Sequence, residues 1–408
     1  MPWQERDSLS ERVKLVCEWR RRFDAGERVN IAELCRMHGV SRETGHKWIK
    51  RFRDAGQDFR ALEQQSRKPL TNPRAASLAM QDFVVEARKR HPKWGPVLLR
   101  RWLVDRHPRH SFPGTSTIGA ILRRRGMTVP RKQRRRGKAR PVVTPPFPEC
   151  TQPNATWCMD FKGWFRTLDR EKCYPFTLLD AFSRFLLRCE ALLEPDGDAV
   201  RAILDSAFRE YGLPDAIRSD GGPPFFATNA PSGLSSVGVW LLRLGITLEC
   251  IAPAKPQQNG RLERFHRTFK HEIDIADEVL AQRRLCDEFR RVYNFERPHS
   301  ALQLATPGSV YRSSRTRYPR MLLRDDGGGV HSERVDHRGR IAWRRQRVFI
   351  SEAFVGEWLT LWPAEGGRWE IYFGSICLGV LDESRAPLHF QPTRRPRKST
   401  MRLAYSPE

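Results

Sequence analysis

The most restrictive feature of this 408-residue chain is the order of apolar runs between about 153 and 315. "TWCMDFKGWF", "YPFTLLDAF" and "RFLLRCEAL" follow one another closely enough to form an antiparallel meander. "DGDAVRAILDSAFREYG" then sets Val200, Ile203, Leu204, Ala207, Phe208 and Tyr211 on one helical stripe. "DAIRSD" predicts a strand, "LSSVGVWLLRLG" a helix and "ITLECIAP" a strand, and a long helix begins near Gln257. Three antiparallel strands followed by alternating helix and strand describe a central α/β core, a five-stranded mixed sheet with helices on its faces.

Helical units precede this core. In residues 1–65, "NIAELCRMHGVSRETGHKWIKRF" gives a short helix, a turn at Gly39 and a second helix capped by Ser41, a helix-turn-helix pattern. Arg42, Glu43, His46 and Lys47 fall at the front of the second helix, where base edges are met. Residues 75–130 predict a second helix-turn-helix-like DNA-binding unit, its last helix capped through Pro113, Gly114 and the run "TST". From Arg106 to Arg140 there are twelve Lys and Arg and no acidic residue. The end of that run is a basic linker, 131–152, in which Arg131, Lys132, Arg134, Arg135 and Arg136 are placed to lie along phosphates. Residues 334–385 predict a small all-β barrel, and 386–408 a basic tail.

Charge names the partner. The chain carries 73 Lys and Arg against 47 Asp and Glu, a net +26. Such an excess suits a polyanion, since each neutralised phosphate releases counterions. The sequence has no long apolar span and no strongly apolar-faced basic helix, which sets the membrane reading aside. The nine Cys contain no CxxC pair and no zinc-spaced cluster. The opening "MPWQERDSLSERVK" is charged too early for a secretory segment, so a cytoplasmic, nucleoid-associated bacterial protein is expected.

Three acids in the core stand apart. Asp160 lies inside an apolar strand, Asp220 ends the strand "DAIRSD", and Glu263 sits in the first turns of the long helix. On that helix Leu262, Phe265, Phe269 and Ile273 form an apolar stripe, with Glu263, His266, Arg267 and Lys270 on a polar one beside it. Three converging carboxylates need a counter-charge, and hard oxygen ligands suit Mg²⁺ or Mn²⁺. Two such ions serve phosphoryl transfer, which leaves a metal-dependent nuclease and a strand transferase both open. Asp169, Asp180, Asp196, Glu249 and Glu272 are read as structural.

"PNATWCMDFKGWF", "LLDAFSRFLL", "IRSDGGPPF", "PAKPQQNGRLERFHRTFK" and "YNFERPHSAL" together resemble the retroviral-integrase-type DDE transposases of bacterial insertion sequences. The resemblance covers about 80–315, and the N-terminal helices fit the same architecture. It implies an RNase H-like core with Asp160, Asp220 and Glu263 as catalytic and metal-binding triad, and with two Mg²⁺ (or Mn²⁺) ions. It implies nicking at terminal inverted repeats, joining of the 3′-hydroxyl to double-stranded target DNA, and self-association into a dimer or tetramer on DNA. Cleavage without joining, or a DNA-binding regulator with an inactive core, are the alternatives. By the same resemblance Asn259 and Gly260 border the DNA, Arg264, Arg267 and Lys270 contact its backbone, and Tyr293, Asn294, Arg297, Pro298 and His299 pack against the core. The chain departs from the family at Gly221, where Asn is usual, at Gln258 in "QQNG", and in its 42 residues between Asp220 and Glu263. The retroviral zinc-binding N-terminal module is absent from the pattern.

Overall fold

The computed structural model describes residues 8–64, 75–128, 150–227, 229–252, 256–319, 330–384, 388–394 and 399–403. They fall into two compact units, Met1–Ala75 and Ala76–Glu408. In the first, α1 (Ser8–Asp24), α2 (Ile31–Met37) and α3 (Arg42–Asp54) close on Leu15, Val16, Trp19, Leu34, Ile49 and Phe52. Each short helix starts where a side chain can accept from its first turn. Asn30 caps α2 through Ala32 and Glu33, and Ser41 Oγ accepts from Thr44 N at 3.2 Å. Gly39 supplies the left-handed turn (φ +63°) between them. Gly45 makes their crossing close, since a Cβ there would fall 2.2 Å from Cys35 Sγ.

In the second unit, α4 (Leu78–Arg90), α5 (Pro96–Arg106) and α6 (Thr115–Arg124) pack around Leu99, Leu103, Ile118 and Leu122. The expected Ser/Thr cap of α6 is absent. Gly114 occupies the cap position and makes no side-chain bond, because the hydroxyl run has moved inside the helix.

The core sheet follows in chain order as β1 (Thr156–Phe161), β2 (Phe165–Arg166), β3 (Lys172–Asp180), β4 (Leu186–Leu192), α7 (Gly197–Tyr211), β5 (Ala216–Ser219), α8 (Ser236–Arg243), β6 (Thr247–Cys250), α9 (Gly260–Glu272) and α10 (Val279–Phe295). The long helix thus starts at Gly260, after a single 3₁₀ turn over Pro256–Asn259. β1 pairs antiparallel with β3 and parallel with β5; β4 pairs with β3, and β5 runs parallel to β6. These are the five strands expected. Two short additions make the sheet seven-stranded: β2 on β3, and the strand Ser399–Met401 on β6.

Side chains alternate between two cores. Trp157, Met159 and Ile217 face α7 and α8, while Cys158 and Leu179 face Phe265 and Phe269 of α9 and Phe289 and Tyr293 of α10. Asn294 joins α10 to β4 by donating to Leu186 O at 2.9 Å and accepting from Leu186 N at 2.8 Å. The far end of α9 is held by α4 and its neighbourhood. Trp94 Nε1 donates to Glu272 Oε2 at 3.2 Å, Lys93 pairs with Asp274 at 2.5 Å, and Arg297 pairs with Glu272 at 2.9 Å.

The C-terminal β segment comprises β7 (His331–Arg334), β8 (Arg340–Trp343), β9 (Gln346–Phe349), β10 (Trp358–Ala364), β11 (Arg368–Phe373), β12 (Ile376–Asp382), β13 (His389–Pro392) and β14 (Ser399–Met401). The expected barrel does not form. β13-β12-β11-β10-β7 is an open sheet, and β8-β9 is a separate hairpin. Aromatic alternation reports that one face of each strand is buried, which an open sheet packed on the core satisfies as well as a closed one. Here Ile341, Val348, Leu359 and Ile371 join the same apolar cluster as α7 and α8. The stretch expected as a basic tail also contributes order: β13 extends the open sheet, and β14 covers the β6 edge with Met401 and Leu403 buried.

Asn294→Ala leaves the Leu186 N–H and C=O buried without their side-chain partner, which costs about 2 kcal/mol or more. A lowered urea midpoint, read by tryptophan fluorescence, is the expected result.

Candidate active site

Strand periodicity puts two of the acids on one face. Cys158 of β1 pairs in register with Arg218 of β5. The same register carried two residues on sets Asp160 level with Asp220, which directly follows β5, and both lie on the α9 side. The chain turns away there because Gly221, Gly222 and Pro223 cannot continue the strand. Gly222 N donates to Asp220 Oδ1 at 3.2 Å, which steadies the exposed carboxylate at the sheet edge.

Asp160 is the more enclosed acid, with a side chain 30% exposed. Burial first, and then the charge of Asp220, push its pKa up to about 7; the Phe161 amide and Lys162 oppose the shift. Thr177 lies opposite Asp160 on β3 and donates to Asp160 O at 3.1 Å. Its hydroxyl has one proton, so His266 Nε2, 2.9 Å away, must be the donor to Thr177 Oγ1. His266 Nδ1 is then a bare acceptor 3.9 Å from Asp160 Oδ2. Burial, with Lys162 adding to it, lowers the His266 pKa to about 3 and keeps the ring neutral. Two lone-pair-bearing groups facing each other across that gap favour a cation or a proton donor between them.

The entry to α9 is anchored by a buried pair. Arg218 Nε lies 2.8 Å from Glu249 Oε2, and its Nη1 donates to Gln258 O at 3.4 Å. Gln258 Oε1 accepts from Ala252 N at 2.9 Å. Breaking such a pair strands a buried charge at a cost of about 3–5 kcal/mol, so it fixes where the helix begins.

Glu263 is exposed on α9, as are Arg264, Arg267 and Lys270. Among the described residues no group of three His, Cys, Asp or Glu side chains is close enough to hold a metal. The strand register brings Asp160 and Asp220 to one sheet edge, and Glu263 stands exposed on α9. Arg42, His46 and Lys47 are exposed on α3. Asn259, expected to border DNA, is 7% exposed, and its Oδ1 is buried without a hydrogen-bond partner among the described residues. Arg131, Lys132, Arg134, Arg135 and Arg136 lie outside the described residues. Asp180, the acid nearest in character to the site, is fully buried in the β3–β4 turn. It accepts there from Asn154 N at 2.8 Å and from Ser183 N at 2.7 Å, a structural role.

Three residues near the site were not singled out by sequence reasoning: His266 as a buried group, Thr177 and Arg218. Periodicity puts His266 on the polar stripe of α9, whereas the structure buries it. Its position next to buried Phe265 and one turn after Leu262 was the available signal.

A carboxyl whose pKa is raised by folding weakens the fold where it must ionise. Stability in metal-free protein is therefore unaffected by Asp160 below about pH 4, and falls as pH rises towards 7 and just beyond. Asp160→Asn is expected to raise Tm at pH 8 and leave it unchanged at pH 3.5, as measured by calorimetry with a chelator present. Divalent cation should raise the parent's Tm at pH 8 and not the variant's.

Comparison with known families matches four segments along the chain. Two models described as "Integrase core domain" match residues 150–256 and 244–307. A "Homeodomain-like domain" matches 44–122, and "IS481 family transposase, C-terminal domain" matches 330–386. The chain is 29% identical over 287 residues to the insertion element IS407 uncharacterized 31.7 kDa protein of Burkholderia multivorans, covering 69% of this chain and 91% of that one. It is 29% identical over 289 residues to the insertion element IS476 uncharacterized 39.2 kDa protein of Xanthomonas euvesicatoria, covering 69% of this chain and 72% of that one. Among solved structures, the HTLV-2 integrase catalytic core domain in complex with magnesium aligns at TM-score 0.31 and 15% identity, over 40% of this chain and all of that one. With a homeodomain-like segment, two integrase-core segments and a transposase C-terminal segment in order along one chain, the protein belongs to the insertion-sequence transposases that carry an integrase core.

Proposed function

We propose that this transposase nicks the terminal inverted repeats of its element and joins the freed 3′-hydroxyls to target DNA, using a divalent cation held by Asp160, Asp220 and Glu263. The observation that carries the reading is the pairing of Asp160 and Asp220 at the ends of adjacent parallel strands, facing the helix that bears Glu263. The donor set fits: all-oxygen ligands suit Mg²⁺ or Mn²⁺, and two carboxylates that repel each other gain from a shared cation. Such ions, when bound, lower the pKa of an attacking oxygen and neutralise charge on the phosphate.

The chain's own part is positioning. Thr177 ties β3 to β1 at the Asp160 carbonyl, and neutral His266 leaves the neighbouring carboxyl charge uncompensated. Gly222 N restrains Asp220. Glu263 makes no ion pair among the described residues, which leaves its carboxylate available as the third ligand. Arg264, Arg267 and Lys270, exposed on the same helix, would meet the DNA backbone, and Arg42, His46 and Lys47 on α3 would read the repeat. Water or a DNA hydroxyl is the nucleophile, so no covalent protein intermediate is required.

The test is a strand-transfer assay with the element's terminal repeats and Mg²⁺. Branched or inserted products are expected from the parent, with loss on the order of 10³-fold in Asp220→Asn. Full activity in that variant would falsify the assignment, and nicked products that never join would restrict the enzyme to cleavage.

A further inference from the structure

Outside the carboxylate edge, the β3–β4 turn and the start of α9 bring three arginines together. Arg184 Nη1 donates to Ala181 O at 2.5 Å, and Arg261 Nη1 donates to the same oxygen at 2.7 Å. The charges of Arg261 and Arg264 both act on Arg184. One carbonyl takes up only a small share of the donors that two guanidinium forks present. Among the described residues none of the three makes an ion pair with a carboxylate. Burial, together with the neighbouring arginine charges, holds the Arg184 guanidinium below its usual pKa.

The backbone adds an independent observation. Arg184 has φ +64°, left-handed geometry in which glycine or asparagine sits easily and another residue costs about 1–2 kcal/mol. A turn selected for geometry alone would carry glycine there. Along α9, Arg261 and Arg264 are three apart and share a face, whereas Glu263 and Lys270 lie on the other flank. The cluster and the carboxylates therefore border the helix on opposite sides.

We infer that Arg184, Arg261 and Arg264 form a phosphodiester-binding site that grips the DNA backbone on the flank of α9 away from Glu263. The inference rests on the DNA-joining reading above and adds Arg184 and Arg261 to it. Planar guanidinium forks match phosphate oxygens, and a phosphate supplies the counter-charge the cluster lacks within the described residues. Contact to the backbone alone carries no base recognition.

The experiment is fluorescence anisotropy of the full chain on a terminal-repeat duplex and on an unrelated duplex of equal length, across a salt series. Arg184→Gly relieves the turn, so its Tm should be unchanged or higher, and Arg261→Gln is measured beside it. Each variant is expected to flatten the slope of log affinity against log salt by about one, on both duplexes alike. An unchanged slope in folded Arg184→Gly, with the parent binding normally, overturns this site and leaves the DNA reading standing. A loss confined to the terminal-repeat duplex also overturns it, because that is base readout. If the parent binds neither duplex, the underlying reading fails as well.

Discussion

The mutual repulsion of Asp160 and Asp220 is the constraint around which the core is arranged. Two adjacent parallel strands end at the same level with a carboxylate each, and one of them is enclosed enough for its pKa to reach about 7. A fold selected for stability alone would separate them or neutralise one. This one instead keeps neutral groups around Asp160: Thr177 holds its backbone carbonyl, and a deprotonated His266 faces the carboxyl with a lone pair and does not cancel its charge. The unresolved charge is stored at the sheet edge, where a cation can use it.

The remaining architecture serves to hold α9 against that edge. Its entry is fixed by Arg218, Glu249 and Gln258, its apolar stripe by α10, and its exit by Glu272 bound to Trp94 and Arg297. The signature "YNFERPHSAL" finds its explanation here. Asn294 ties α10 to β4, Arg297 holds Glu272, and buried Tyr293 packs edge-on against Phe265. These residues touch no reacting group, yet each sets the height or angle of the helix that bears Glu263.

Much of this was legible in the sequence, for physical reasons. Alternation of apolar runs with turns gave the five core strands, and the Gly39 turn with the Ser41 cap gave the first helical pair, because both signals are local. The Asp160–Asp220 pairing could be anticipated because strand period and strand ends decide it. Sheet closure is not local: the C-terminal aromatic runs read as a barrel, and packing onto the core face of α7 and α8 made an open sheet instead. β14 carries no local signal, because its order comes from the β6 edge far away in sequence. His266 is buried because the inward face of α9 is wider than its four apolar residues. Arg184 lies in the motif "LLDAFSRFLL", but its role depends on a backbone angle and on Arg261 of another element, which the motif alone does not reveal.

The most direct test of the central claim is Mn²⁺ binding, followed by electron paramagnetic resonance, in the parent, Asp160→Asn and Asp220→Asn chains with terminal-repeat duplex present. The account predicts bound Mn²⁺ in the parent and its loss in both variants while duplex binding persists. Equal Mn²⁺ binding in all three would contradict it.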